Sequence, residues 1–283
     1  MLPIGAGGSG INRQTQQIQK AFNRLSETSS KLATLKKINR GSDSPAGMIA
    51  SEELKRELTA TDAASRSAER NRSFVHVADS GLAQAGDLLN ELEGNLVTAA
   101  NEALSPAERD AIQIEIDAAV DALDRIGVST HFASERVFDG QSREVLVGPN
   151  PSDQATLNVP ELRSGALGSD QGALADLRGS AIDDAETAVN IVQGARSQVL
   201  NARAELGAFE RNSIDATSKL FDDAAVNLNA TLSAITDTDV ALDSSNLVRS
   251  MILTDTAVAT ARLAAGTYKA QASLLDELFH VAG

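Results

Sequence analysis

The chain has no cysteine and no tryptophan, and only one tyrosine and seven phenylalanines among its 283 residues. Without cysteine there is no disulfide framework, no thiolate nucleophile and no thiolate metal site. With so few rings, burial falls to Ala, Leu, Val and Ile, which suits closely spaced helices better than a ligand pocket walled with aromatics. Basic residues are also scarce: 25 Lys and Arg against 39 Asp and Glu leave a formal charge of −14. That balance argues against nucleic acid, whose phosphates need clustered Lys and Arg, and against an anionic membrane surface. No apolar run approaches the ~18 residues of a membrane span, so no membrane insertion is expected. The opening residues 1–10 lack the basic and apolar regions of a cleaved secretory signal. A chain of this kind that leaves the cell uses a route that does not read one.

What is present is helical periodicity. Ile11, Ile18, Phe22, Leu25, Leu32, Leu35 and Ile38 step by threes, fours and sevens, the spacing of one apolar stripe on a helix. Ser42 to Gly47 breaks it, with Ser44 placed to cap the next helix and Pro45 at its first position. A long segment from about Ala46 to Ala103 follows, rich in Ala, Glu and Arg, with Gly81, Gly86 and Gly94 inside it. Each glycine costs about 1 kcal/mol against alanine in a helix, so close backbone packing is the expected compensation. Ser105-Pro106-Ala107-Glu108 carries the signature of a capping box. Ile112, Ile116, Val120, Leu123 and Ile126 then form a stripe ending at Gly127.

The middle changes period. Val145–Val147 and Ala155–Val159 flank the turn-forming Gly148–Asp153 and are expected to pair as a β-hairpin. Ser180 with Asp183 and Asp184 marks a new helix start, followed by Ile182, Ala185, Val189, Val192, Ala195, Val199, Ala202, Leu206 and Phe209 at coiled-coil spacing. That pattern runs to Ile235, breaks over Thr236–Asp239, and gives way to a last helix with Val240, Leu247, Met251, Val258, Leu263, Leu274 and Leu278. The expected fold is mainly α: an elongated antiparallel helical rod or coiled-coil bundle with one small β-hairpin and paired terminal helices.

Chemistry-bearing motifs are missing. Gly5 to Gly10 matches G-x-G-x-x-G, but no strand precedes it, so a flexible terminal arm is expected rather than a dinucleotide site. Asp237, Asp239 and Asp243 lack the glycine and closing glutamate of a calcium loop and read as helix caps. His76, His131 and His280 are scattered and belong to no metal or nucleophile arrangement. No catalytic residue, cofactor or metal ligand is expected, and the chain does not read as an enzyme.

Several segments resemble bacterial flagellin. Lys31–Asn39 and Arg40–Gly47 are similar to that family's R-L-S-S-G-L-R-I-N and S-A-x-D-D-A-A-G, with Asn39, Asp43, Ala46 and Gly47 at the break. Ile112-Gln113-Ile114-Glu115-Ile116 resembles I-Q-x-E-I, and Phe132–Gly140 resembles F-N-G-x-K-L-L-D-G. Val147-Gly148, Pro160-Glu161-Leu162 and Ala166-Leu167-Gly168 are similar to the family's hairpin and exit, and Arg249 to Leu275 aligns without gaps. The first ten residues and the tail after Leu275 depart from the family pattern. So does Asn90–Leu96, where many flagellins that host receptors detect carry Q-R-x-R-E-L-A: Glu91 and Glu93 stand at its two arginines.

The resemblance implies a minimal flagellin without variable outer domains. Residues 1–42 and 237–283 would form the inner filament-core domain. Residues 43–180 would supply the rod's N-terminal helices and hairpin, and residues 181–236 its C-terminal helix. Ile11, Ile18, Phe22, Leu25, Leu32, Leu35, Ile38, Leu247, Met251, Val258, Leu263, Leu274 and Leu275 are then expected to line contacts between subunits. Ile112, Ile116, Val120, Leu123, Val189, Val192, Val199 and Leu206 are expected to pack the rod. The implied role is a structural subunit that polymerises with its own copies into an extracellular filament for motility. Implied partners are the flagellar export apparatus, a chaperone for the C-terminal helix, and filament cap and junction proteins. A hook–filament junction protein shares the terminal helices, and an intracellular helical scaffold would explain the heptads but not the hairpin.

Overall fold

The computed structural model describes residues 6–281 apart from 102 and 151, with side chains from 15 to 274. Six α-helices dominate: α1 (Ala6–Thr34), α2 (Pro45–Ala99), α3 (Pro106–Ser129), α4 (Ala185–Phe209), α5 (Ala216–Thr236) and α6 (Val240–Val281). Between α3 and α4 lie three antiparallel strand pairs: β1 (His131–Phe132) with β2 (Glu135–Arg136), β3 (Ser142–Leu146) with β4 (Gln154–Asn158), and β5 (Gly168–Ser169) with β6 (Gly172–Ala173). The fold is mainly α. The chain divides into two compact units, one of residues 1–56 with 228–283 and one of residues 57–227.

In the unit of residues 57–227, the core runs along α2 in steps of three, four and once seven: Ala64, Ala68, Val75, Ala78, Leu82, Ala85, Leu89, Leu92 and Leu96, all buried. The four alanines let helices approach closely, and the four leucines fill the holes. The expected stripes meet this seam. Ile116, Val120 and Leu123 of α3 and Val192, Val199 and Leu206 of α4 are buried, while Ile112 and Val189 pack half-buried against the same core.

Charged pairs line the flank of α2 and set its antiparallel register against α4 and the turn that follows. Arg196 meets Glu93, Arg203 meets Asp79 and Arg72 meets Asp215, each at 2.8 Å, and His76 Nε2 lies 2.7 Å from Glu210. Between α4 and α5 the helix takes one π-turn, Glu210–Asp215. The buried positions consequently pass from Leu206 to Ile214 and Phe221, one residue later than a continued heptad.

The starts and stops follow local chemistry with some departures. Ser105 and Glu108 form the expected capping box, and Gly47 donates its amide to Ser44 Oγ at 3.1 Å, with Pro45 beginning α2. The hairpin forms as expected but starts earlier, at Ser142, with Val145 opposite Ala155. α4 begins at Ala185, capped by Asp184, after residues 180–184 are used in turns. α1 stops at Thr34 rather than at Ile38 because Leu35 takes a left-handed backbone, φ 56°. Ala6–Gly10 belong to α1, not to a loose arm, and Gly5 lies outside the described residues. Of Gly81, Gly86 and Gly94, close packing explains only the first: a Cβ on Gly81 would sit 2.6 Å from the Phe138 ring, whereas Gly86 and Gly94 face open space.

Candidate assembly surface

The unit of residues 1–56 and 228–283 is built around two chain breaks held together. After Leu35 the backbone extends, and Lys36 forms an antiparallel bridge with Asp237. Lys37 donates its amide to the Thr236 carbonyl at 2.7 Å, and Thr238 donates to the Leu35 carbonyl at 3.2 Å. Side chains complete the joint. Asp43 accepts from the amides of Asn39 and Arg40 at 2.9 and 2.8 Å, which holds its carboxyl below the ordinary aspartate range. Asn39 Nδ2 donates back to the Lys36 carbonyl at 3.1 Å. Asp239 caps α6 by accepting from the amides of Ala241 and Leu242, each at 3.0 Å. Asp237 accepts from Ser233 and Thr236, and Asp243 from Thr238 and Asn246, so these carboxylates serve the helix ends. Among the described residues no group of carboxylates and histidines is arranged to hold a metal ion.

The family-motif residues have distinct places here. Ile38 is buried, and a Cβ on Gly47 would come within 2.5 Å of its Cδ1 and 2.8 Å of Ser44 Oγ, so any larger residue there would displace Ile38 and the capping serine. Ala46 is exposed in that turn.

From the joint, α1 and α6 run antiparallel and pack on each other. The α1 side of the seam is Ile18, Ala21, Leu25, Thr28 and Leu32, all half-buried. The α6 side is Leu247, Ser250, Thr254, Ala257, Ala261 and Ala264, again by threes and fours. Most α6 seam residues are small or hydroxylic, and the buried Thr254 Oγ1 satisfies itself by donating to the Ser250 carbonyl at 2.8 Å.

The bulky side chains expected at subunit contacts divide accordingly. Ile18, Leu25, Leu32 and Leu247 lie in the seam and Val258 at its edge. Phe22, Met251, Leu263 and Leu274 are 48, 50, 70 and 59 % exposed, and Leu35 stands exposed at the joint. The side chains of Ile11 and Leu275 lie outside the described residues. Sequence periodicity missed the exposed Val248, Ile252 and Leu253 of α6, because a helix that is apolar on every side has no stripe to detect.

Residues 11–143 match the profile of the bacterial flagellin N-terminal helical region, and residues 189–270 match that of the bacterial flagellin C-terminal helical region. The chain belongs to the bacterial flagellin family. As a flagellin it is a structural subunit of a flagellar filament, in a family whose members polymerise with their own copies. It is 26 % identical over 241 residues to a flagellar filament 30.7 kDa core protein of Treponema maltophilum, covering 81 % of this chain and 84 % of that one. It is 28 % identical over 270 residues to a Bacillus subtilis flagellin, covering 82 % and 88 %. A solved structure described as a flagellar hook-associated protein from Vibrio parahaemolyticus superposes with a TM-score of 0.57 at 14 % identity, over 69 % of this chain and all of that one. That likeness is one of fold.

Proposed function

We propose that this flagellin polymerises through its terminal helices. Residues 1–42 and 237–283 act as the filament-core domain, and residues 43–180 and 181–236 as the rod domain. The observation that carries this is α6, whose large apolar side chains lie mostly away from α1, the helix it packs against. In water, each such side chain gains about 1.5–3 kcal/mol on full burial, and within the described chain nothing covers them. Neighbouring subunits can supply that cover, so Phe22, Met251, Leu263 and Leu274 become contacts only in the assembled state, while Ile18, Leu25, Leu32 and Leu247 already pack in the seam. The terminal helices gain order as subunits stack, since an isolated pair buries too little to offset about 1–2 kcal/mol of ordering entropy per residue.

The filament is extracellular. The subunit reaches it unfolded through the flagellar export apparatus, with a chaperone on the C-terminal helix beforehand and cap and junction proteins at the filament ends.

Seeded growth tests the reading. Monomer added to short sheared filaments is expected to elongate them under the electron microscope, with a gain of helix by circular dichroism. Monomer that stays monomeric on seeds overturns it.

A further inference from the structure

The chain's acidic balance conceals a local reversal. Residues 1–42 hold seven Lys and Arg but a single carboxylate, Glu27, and the other 38 acidic side chains follow. Arg13, Lys20, Arg24 and Lys31 are spaced by seven, four and seven. At 3.6 residues per turn that sets them within about 40° of one another on one side of α1, away from Ile18, Phe22 and Leu25. Lys31 pairs with Glu27 at 2.7 Å, but among the described residues no carboxylate pairs with Lys20 or Arg24.

These two cations line a groove of about 270 Å³ along one flank of the α1–α6 seam. Gln17 and Ser250 line it with them, together with apolar Ala21, Leu253 and Ala257, and no acidic side chain takes part. Leu253 is 48 % exposed there. Arg249, exposed one helical turn before Leu253, adds a third cation to this side of α6. The groove on the other flank includes Asp255. Charge is thus segregated to one side of the helix pair.

We infer that this flank docks the subunit on an anionic phospholipid surface. The headgroup phosphate meets Lys20 and Arg24, and hydrocarbon meets Ala21, Leu253 and Ala257. The occupant must bring negative charge and hydrocarbon together, which an anionic lipid does in one molecule. Nucleic acid would answer the cations alone, and the groove offers no ring on which a base could stack. Whole-chain charge, which argues against such a surface, is the wrong measure at this face, because charges beyond about 8 Å are largely screened at physiological salt. The docking is peripheral: no described helix is long and apolar enough to cross a membrane. The binding stands apart from the polymer reading. Only its use rests on the export reading above, since subunits held at a membrane are concentrated where they must cross it.

Flotation of the monomeric chain with vesicles tests this. It is expected to float with equal parts phosphatidylglycerol and phosphatidylcholine, and not with phosphatidylcholine alone. Each Lys or Arg near an anionic surface is worth about fivefold in binding, so Lys20→Gln with Arg24→Gln is expected to weaken it about 25-fold. Arg262→Gln with Lys269→Gln removes the same charge from the other flank and is expected to bind as wild type. Leu253→Gln keeps every cation and is expected to lose about tenfold. All five positions are exposed, so helix content by circular dichroism is expected to match wild type.

Equal flotation on phosphatidylcholine, equal loss from the two charge pairs, or unchanged binding by Leu253→Gln overturns the site. Displacement by millimolar inorganic phosphate would reduce it to a free-anion site. A DNA oligonucleotide bound as tightly as vesicles, and through Lys20 and Arg24, would assign the cations to nucleic acid instead; either result overturns lipid docking. Seeded elongation is a separate measurement, so its failure would overturn the polymer reading and leave lipid docking standing.

Discussion

Lys37 donates its backbone amide to the carbonyl of Thr236 at 2.7 Å, joining two helix breaks from opposite ends of the chain. Beside it Lys36 and Asp237 form a single β-bridge. α1 and α6 therefore leave from a common point, and their seam begins in register. Lys37→Pro removes the donor, and a net hydrogen bond is worth about 0.5–1.5 kcal/mol. Amides from Ile38 to Asp43 are expected to exchange roughly tenfold faster in the variant, since about 1.4 kcal/mol is a factor of ten. Unchanged exchange would show that the joint is held without this bond.

The same joint responds to acid. Bonds from the Asn39 and Arg40 amides lower the Asp43 carboxyl, and bonds from the Ser233 and then the Thr236 hydroxyls lower that of Asp237. A carboxylate whose folded value lies below its unfolded value binds protons more weakly when folded. Its contribution is complete above about pH 4 and is lost as pH falls through the lowered value. NMR shifts of the Asn39 and Arg40 amides are expected to stay flat from pH 5 to 8 and to move only below about pH 4. A midpoint above that contradicts the assignment.

Ala133 and Ser134 connect β1 and β2 with positive φ, 51° and 72°, the backbone of a type I′ turn. Asn-Gly is the favoured pair for that turn, because alanine and serine carry a Cβ into the left-handed region. Ala133→Asn with Ser134→Gly is expected to raise stability by about 1 kcal/mol, or about 2–4 °C in melting temperature for a unit of this size. Calorimetry showing a lower melting temperature would mean the turn geometry is wrong.

Glycine to alanine has opposite signs at two sites. A Cβ on Gly127 would fall 1.8 Å from the Leu162 carbonyl oxygen, a backbone atom that cannot swing aside. Gly127→Ala is expected to cost about 2–4 kcal/mol in urea unfolding. Gly86 lies inside α2 with open space around it, so Gly86→Ala is expected to add about 0.5–1 kcal/mol. Matching signs for the pair would refute the packing described for Gly127.

Glu91 and Glu93 occupy the places of the two arginines in the segment that receptor-detected flagellins carry. Glu93 is also committed within the chain, accepting from Gln193 and Arg196 at 2.8 Å each. Weak or absent activation is expected in a host-receptor reporter assay, and a potent response counts against it.

Local patterns were sufficient to place most of the helices. Ser105 with Glu108, Ser44 with Pro45, and the break over Thr236–Asp239 mark helix boundaries through backbone hydrogen bonds made within a few residues. The α2 seam was harder to see because alanine at four of its core positions, Ala64, Ala68, Ala78 and Ala85, looks like a helix former rather than a core residue. Its burial depends on α4 and α3 lying close enough to need a small side chain. The one-residue slip at Glu210–Asp215 has no local marker either.

On α6 the division between seam and exposed ridge could not be read from periodicity. Apolar residues on all sides specify that the helix must be covered, but not from which side first. Sequence alone determined a helical, cysteine-free, acidic chain with flagellin motifs at both ends. Tertiary structure decided that Ser250, Thr254 and the alanines face α1 while Ile252 and Leu263 face outward. The physical reason is distance: only small side chains let two backbones approach closely enough to pack along their length.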